Sequence, residues 1–174
     1  MTNKVKIFLG LISVMLLSTG CSQKDYFLQA GKKYGVNHRT LRAIAHHESG
    51  NKNNVVNVNR SIFNVQQGPH YFDNWFTANL YMDTVLDPLF LNYDIGICQI
   101  NKMYLDKNNL DNEDLLDPEI NIDMAAKIYK YNVRACKGNL RCALSMYNTG
   151  HKRSKIGFRY ADKVIKIRKK YYSK

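Results

Sequence analysis

Residues 37–50, Asn-His-Arg-Thr-Leu-Arg-Ala-Ile-Ala-His-His-Glu-Ser-Gly, carry an apolar stripe with a carboxylate inside it. At about 100° per residue, Glu48 falls in the middle of that stripe. The apolar members of the stripe are Leu41, Ile44 and Ala45. Desolvation raises the pKa of a carboxyl because it disfavours the charged form. The segment therefore predicts an amphipathic helix that ends with a candidate general acid, unless the helix end frays and turns Glu48 to solvent.

The sequence on both sides of this segment also predicts helices. Besides the helix capped by Asn37, which should reach residue 47 or 48, we expect helices over residues 25–34, 120–135, 140–147 and 158–172. A further helix between residues 74 and 91 is limited by Pro88. Residues 51–72 mix valines with Asn and Gly and predict a small hairpin or an irregular loop. Strands and helices do not alternate, so a parallel sheet is excluded and the expected fold class is all-α, mainly helical.

Composition places the chain among globular proteins with an acidic partner. It has 174 residues, of which 45% are hydrophobic and 23% charged, which argues against disorder and suits one core. The 3 Pro and 10 Gly exclude collagen-like and low-complexity classes. The formal net charge of +12 favours an anionic partner, but charge alone does not choose among nucleic acid, anionic lipid and cell-wall polymer.

The N-terminus has the features of an export signal. Lys4 and Lys6 precede an apolar run over residues 7–17, which is too short to span a membrane. The small residues before Cys21 resemble the lipobox of bacterial lipoproteins. We expect a signal peptide over residues 1–20, a lipidated tether over 21–24 and one catalytic domain over 25–174. The alternatives are an uncleaved anchor or an ordinary signal peptide with a chance cysteine.

The export signal predicts the location of the protein and the oxidation state of its cysteines. We expect a periplasmic lipoprotein with no nucleic-acid partner; Ser22 suits outer-membrane sorting, and the inner membrane is the alternative. In an oxidising compartment Cys136 and Cys142, which flank a Lys-Gly-Asn turn, can form a disulfide and leave Cys98 as a buried thiol. The alternative is that all three are small apolar residues.

Three segments in a fixed order identify a family resemblance. They are residues 48–50 (Glu-Ser-Gly), 94–101 (Asp-Ile-Gly-Ile-Cys-Gln-Ile-Asn) and 143–150 (Ala-Leu-Ser-Met-Tyr-Asn-Thr-Gly). Together they resemble the E-S, G-x-x-Q-I-N and A-x-x-x-Y-N-x-G motifs of lytic transglycosylases with a lysozyme-like domain. The chain most resembles the specialised enzymes of type IV secretion and conjugation machines, over residues 25–170.

The resemblance implies a lysozyme-like fold, a peptidoglycan substrate, and neither metal nor cofactor. It implies that Glu48 is the catalytic acid, with substrate contacts from Ser49, Asn59, Gln99, Asn101, Tyr147, Asn148 and Tyr160. It also implies partners in a secretion or conjugation apparatus, whereas attachment to a membrane through the lipid follows from the lipobox at Cys21. Taken singly, Gln99 and Asn101 can instead satisfy buried backbone groups, Tyr147 can be a core residue, and residues 148–150 can be a helix stop.

A single catalytic acid suffices for the reaction that the resemblance implies. Glu48 would protonate the glycosidic oxygen between N-acetylmuramic acid and N-acetylglucosamine, and the muramic 6-hydroxyl would then close a 1,6-anhydro ring. Asp94 is the one other acid within a motif, and we expect it to cap a helix or anchor a loop.

Three alternatives from other classes remain open. A hydrolytic muramidase would yield reducing ends, and a catalytically idle lipoprotein would bind glycan without turnover. A zinc hydrolase would need His46, His47, His70 or His151 as ligands, but adjacent helical histidines point about 100° apart. The chain departs from commoner relatives in an insert over residues 60–93, which contains Trp75, Phe76 and Tyr81. The position of this insert relative to the cleft is left open.

Overall fold

The structure is a computed structural model that describes residues 24–60 and 64–173. The described residues form seven α-helices and a four-stranded sheet. The helices are α1 Tyr26–Tyr34, α2 His38–Ser49, α3 Trp75–Tyr81, α4 Leu105–Asn108, α5 Pro118–Ala135, α6 Leu140–Thr149 and α7 Lys155–Tyr171. The strands are β1 Val55–Arg60, β2 Gly68–Tyr71, β3 Asn92–Ile95 and β4 Ile100–Asn101. The mainly helical class expected from the sequence is confirmed.

Side-chain caps set where the helices begin. The side chain of Asn37 accepts a hydrogen bond from the Thr40 amide at the start of α2. Asp117 accepts from the amides of Glu119 and Ile120 at the start of α5, with proline at the first helical position. The long helices consequently begin close to the residues that local sequence signals indicate. The last helix begins at Lys155, three residues before the expected start, because Ser154 is its cap.

The four strands form one antiparallel sheet in the order β2-β1-β3-β4. The pair β1–β2 is the small hairpin expected within residues 51–72. Strands β3 and β4 were not expected. They are four and two residues long and are stabilised by pairing across the sheet, so they lack a strong local signal.

The core lies between α2, α5, α6, α7 and one face of the sheet. Among its fully buried side chains are Leu41, Ile44, Val56, Ile95, Ile122 and Leu144. The insert is built into this core, because Ala78, Met82 and Leu86 are also fully buried. Its helix α3 continues as one π-helical turn that ends at Leu86, before Pro88. None of the described insert residues, 60 and 64–93, lines the cleft that contains Glu48.

Candidate active site

Glu48 lies in the last turn of α2, where the helix meets a cleft. Gly50 ends the helix in the left-handed conformation, with φ of 65°. The residues that share the Glu48 face, Leu41, Ile44 and Ala45, are all fully buried. The helix does not fray, and the carboxylate lies at the boundary between the core and the cleft, as the periodicity predicts.

The electrostatic environment brings the pKa of the Glu48 carboxyl close to neutral pH. Burial, with a smaller contribution from the nearby Asp94 charge, raises the pKa of Glu48 from 4.5 to about 7. The Tyr160 hydroxyl donates a hydrogen bond to Oε1 at 2.6 Å, which favours the ionised form and acts against burial. One carboxyl oxygen is therefore held by Tyr160, and the group can exchange a proton at physiological pH.

The cleft has a volume of about 400 Å³ and lies between the sheet, α5 and α6. Its lining residues are Glu48, Asn59, Asp94, Gln99, Ile100, Asn101, Met103, Tyr104, Ile128, Met146, Tyr147, Asn148, Thr149 and Gly150. Five of the residues expected to bind substrate are in this lining: Asn59, Gln99, Asn101, Tyr147 and Asn148. The cleft therefore brings together residues that are up to about a hundred positions apart in the chain.

Gln99 reaches the cleft from a tight turn between β3 and β4. Gln99 has a positive φ of 52°. Its side-chain nitrogen, Nε2, donates to the backbone carbonyls of Gly96 and Val55 at 2.8 and 3.1 Å. Asn121 of α5 fixes the same turn, because its side chain accepts from the Cys98 amide at 2.9 Å. It also donates to the carbonyls of Ile95 and Leu115. The turn is thus held by a buried asparagine that sequence reasoning did not single out.

Asp94 does not cap a helix, so that alternative was wrong; it has an anchoring role, the other alternative expected, but within the sheet and not in a loop. Asp94 lies in the middle of β3, opposite Asn57 of β1 and Asn101 of β4. The Asn101 amide donates to its carboxylate at 2.7 Å, and Asn57 and Asn59 also hydrogen-bond to it. Burial raises the pKa of Asp94, and the three amides counteract that effect. Asp94 anchors the polar face of the sheet and is the second carboxylate of the cleft.

Tyr147 and Asn148 extend from the end of α6. The Tyr147 hydroxyl donates to the Cys98 carbonyl at 3.0 Å, so its ring is fixed across from the Gln99 turn. Asn148 is exposed, and it lines the cleft without a protein partner among the described contacts. Its side-chain amide is therefore available to a ligand.

Ser49 and Tyr160 do not line the cleft, unlike the other residues expected to contact substrate. Ser49 is buried, and its hydroxyl donates to the carbonyls of Ile97 and Ala45 at 2.8 and 3.2 Å. Ser49 thus ties the end of α2 to the Gln99 turn. Tyr160 is also buried and reaches the site only through its hydrogen bond to Glu48. Both residues are buried beneath the cleft surface: Ser49 positions the Gln99 turn, and Tyr160 positions the Glu48 carboxyl.

The apolar lining of the cleft was not anticipated. Met103 and Tyr104 come from a short 3-10 helix after β4, Ile128 from α5 and Met146 from α6. The helical spacing in α5 indicates that Ile128 lies on a partly apolar face, but the sequence does not show that this face borders a cleft. Only the packing of α5 and α6 against the sheet brings these residues together.

Cysteines and histidines lie outside the cleft lining. The structure joins Cys136 and Cys142 in a disulfide next to the turn before α6. Cys98 is a buried free thiol, as expected, and burial raises its pKa well above the usual range. His46 contacts the hydroxyl of Tyr172, whereas His47 packs edge-on against Tyr160, so the two rings diverge. Within residues 24–60 and 64–173, no three His, Cys, Asp or Glu side chains cluster as metal ligands.

The expected signal peptide and the lipidated Cys21 lie outside the described residues. No helix within the described part of the chain is long and apolar enough to cross a membrane.

Comparison with known families matches residues 25–169 to the family described as Transglycosylase SLT domain. No curated protein matches the chain. The matched region contains all the described residues of the cleft.

Proposed function

The chain belongs to the Transglycosylase SLT domain family of peptidoglycan lytic transglycosylases, and we propose that it cleaves the β-1,4 bond between N-acetylmuramic acid and N-acetylglucosamine with formation of 1,6-anhydromuramic acid. The mainly helical, lysozyme-like fold and the cleft suit a glycan strand as substrate. The observation that carries the proposal is the Glu48 carboxyl, which borders the cleft, has a pKa of about 7 and is held on one side by Tyr160.

The reaction needs one group that first gives and then takes a proton. Protonated Glu48 transfers its proton to the glycosidic oxygen as the bond to the muramic anomeric carbon breaks. The muramic acetamido group stabilises the positive centre. Ionised Glu48 then removes the proton of the muramic 6-hydroxyl, whose oxygen bonds to the anomeric carbon. The carboxyl ends protonated, as it began, and no water is consumed.

Tyr160 supports both halves of this cycle. Its hydroxyl donates to Oε1, so it orients the carboxyl and stabilises the anion that forms after the first proton transfer. Without that hydrogen bond, burial would raise the pKa of Glu48 further and make it a weaker acid for the first proton transfer. The opposing effects of burial and of the Tyr160 hydrogen bond place the pKa of Glu48 near the pH at which both proton transfers are possible.

Mass spectrometry of purified sacculi digested by the protein tests the reaction. We expect muropeptides with anhydro ends, lighter by one water than the reducing products. Fragments with reducing ends alone would overturn the lytic mechanism.

Hydrolysis is the second candidate, and Asp94 favours it. Many glycosidases use two carboxylates, and Asp94 lines the same cleft as Glu48. In this protein, however, the Asp94 carboxylate is hydrogen-bonded by Asn57, Asn59 and Asn101, so those lone pairs are not free to activate water. The same mass spectrum separates the two reactions by the ends of the products.

We also propose that the protein is a periplasmic lipoprotein, attached to the outer membrane through Cys21, that opens the wall for a type IV secretion or conjugation machine. Support for the anchor comes from Lys4, Lys6, the apolar run over residues 7–17 and the residues before Cys21. Support for the machine comes from the resemblance of the three ordered motifs and from the insert. The inner membrane is the alternative site of attachment.

A further inference from the structure

The sheet continues beyond the cleft on the side away from β3, and it ends at an exposed tyrosine. Tyr71 of β2 is 56% exposed, and it pairs directly with Val55 of β1. In the same register Asn57 pairs with Pro69 on β2 and with Asp94 on β3.

The register places Tyr71 on the face of the sheet that borders the cleft. Directly opposed residues in an antiparallel pair point to the same side, as do residues two apart in one strand. Asn57, through its pairing with Asp94, lies on the cleft face, and Val55 is two residues before it. Tyr71, opposite the buried Val55, therefore lies on the same side of the sheet as the cleft, one strand beyond β1.

A lysine accompanies this tyrosine. The ammonium of Lys52 lies 4.6 Å from the centre of the Tyr71 ring. Lys52 is exposed, and no carboxylate among residues 24–60 and 64–173 forms an ion pair with it. Its backbone amide donates to Ser49 Oγ at 3.1 Å, which fixes the start of the lysine side chain next to the residue that follows Glu48.

We propose that Tyr71 and Lys52 form an outer subsite that binds a muramic acid unit bearing a stem peptide. This inference rests on the proposed function. An exposed aromatic ring is a stacking surface for the apolar face of a pyranose, and an unpaired ammonium attracts a carboxylate. Peptidoglycan offers both groups at each muramic acid, where a short peptide with free carboxylates branches from the sugar chain. The uncharged asparagines along the sheet would contact sugar, whereas Lys52 would contact the peptide.

Binding to glycan strands with and without their peptides tests this subsite. The measurement uses the Glu48→Gln background, so that strands are not cleaved, and compares intact strands with strands stripped by an amidase. We expect Lys52→Gln to raise Kd roughly two- to five-fold for intact strands, as for an exposed ion pair, and to leave Kd for stripped strands unchanged. Added salt should reduce the difference.

Three further variants complete the test. Lys166→Gln removes an equal charge from the exposed face of α7 and should change neither Kd. Tyr71→Ala should weaken binding of both kinds of strand roughly three- to ten-fold, whereas Tyr71→Phe should retain most of the affinity. Equal effects of Lys52→Gln and Lys166→Gln, or equal effects of Lys52→Gln on both kinds of strand, would overturn the proposal.

This outcome is separable from that of the lytic reaction. If the parent protein released no anhydro products while Lys52→Gln still lost affinity only for intact strands, the reaction would be wrong and the subsite supported. If the parent released anhydro products and Lys52→Gln bound intact strands as the parent does, the subsite would be overturned and the reaction would stand.

Discussion

At Glu48 the requirements of catalysis oppose those of stability. Burial raises its pKa from 4.5 to about 7, and the unfolded chain has no such burial. Between these values the folded protein binds a proton more tightly than the unfolded chain does, so the free energy of unfolding falls as pH rises. The loss continues as pH rises through about 7 and is complete roughly one pH unit above it.

Glu48→Gln should therefore stabilise the protein at high pH. At pH 8 we expect the variant to exceed the parent by up to about 3 kcal/mol in unfolding free energy, from a shift of 4.5 to about 7. At pH 4 both carry an uncharged side chain, so the difference should nearly vanish. Urea unfolding of the parent and the variant at pH 4 and pH 8 measures the difference in unfolding free energy. An unchanged difference between pH 4 and pH 8 would contradict the raised pKa.

Asp94→Asn tests whether the second carboxylate takes part in the chemistry. We expect stability to change by no more than about 1 kcal/mol, because removing a buried charge with a raised pKa offsets the loss of one hydrogen-bond acceptor for the neighbouring asparagines. Activity should remain within about ten-fold of the parent, since Asp94 has no proton-transfer role in the lytic mechanism.

The pH profile of Asp94→Asn supplies a second readout. Glu48 must be protonated to act, so activity should fall as pH rises through about 7 in the parent. The Asp94 charge helps to raise the pKa of Glu48, so its removal should move this limb to lower pH. A loss of activity of roughly 100-fold or more, with unchanged stability, would instead make Asp94 catalytic.

At the scale of elements, local signals predicted the helices better than the sheet. Helix α2 begins with an asparagine cap and ends at a glycine, and these features depend only on neighbouring residues. Strands β3 and β4 exist because β1 and Asn121 lie beside them, which a local pattern does not reveal. The periodicity of α2 identified Glu48 because it too is a local pattern. The hydrogen bonds to Asp94 from asparagines of β1 and β4 were missed, because they depend on how the strands pair.

The turn that carries Gln99 depends on a close contact between elements. A Cβ atom at Gly96 would lie 2.4 Å from Asn121 Nδ2 and from the Leu115 carbonyl oxygen. Gly96 also has φ of 79°, which favours glycine. Only glycine at this position lets α5 support the turn.

Gly96→Ala should therefore cost roughly 2–5 kcal/mol in stability and most of the activity. Gly138→Ala is a matched control, since Gly138 has φ of 82° but no atom within 4 Å of an added Cβ. It should show only the cost of the backbone conformation, about 1–2 kcal/mol, with activity retained. Denaturant unfolding and turnover of sacculi measure both variants. Equal losses in the two would show that the contact with α5 is unimportant.

At the scale of the whole molecule, the proposed anchor would hold the domain close to a membrane. Only four residues, 22–25, separate Cys21 from Tyr26, where α1 begins. A lipid on Cys21 would thus leave a tether too short for the domain to move far from the bilayer. Removal of residues 1–20, which carry Lys4 and Lys6 and no acids, would lower the net charge from +12 to +10, and that charge would add attraction to anionic surfaces.

Cys21→Ser should abolish lipid incorporation and release the protein from membranes. Labelling of cells with a fatty-acid probe, followed by fractionation in high salt, measures both effects, because salt removes binding due to charge alone. The parent should remain in the membrane fraction. A Cys21→Ser protein that still carries the label and sediments with membranes would overturn the anchor.

The most direct test of the account is the product mixture released from purified sacculi by the parent and by Glu48→Gln. The substitution keeps the size and polarity of the side chain but removes its ionisable proton. We expect anhydro-muropeptides from the parent and a fall of at least about 10²–10⁴-fold in their release by the variant, with the fold intact. A folded Glu48→Gln protein that released anhydro-muropeptides at close to the parent rate would contradict the assignment of Glu48 as the catalytic acid.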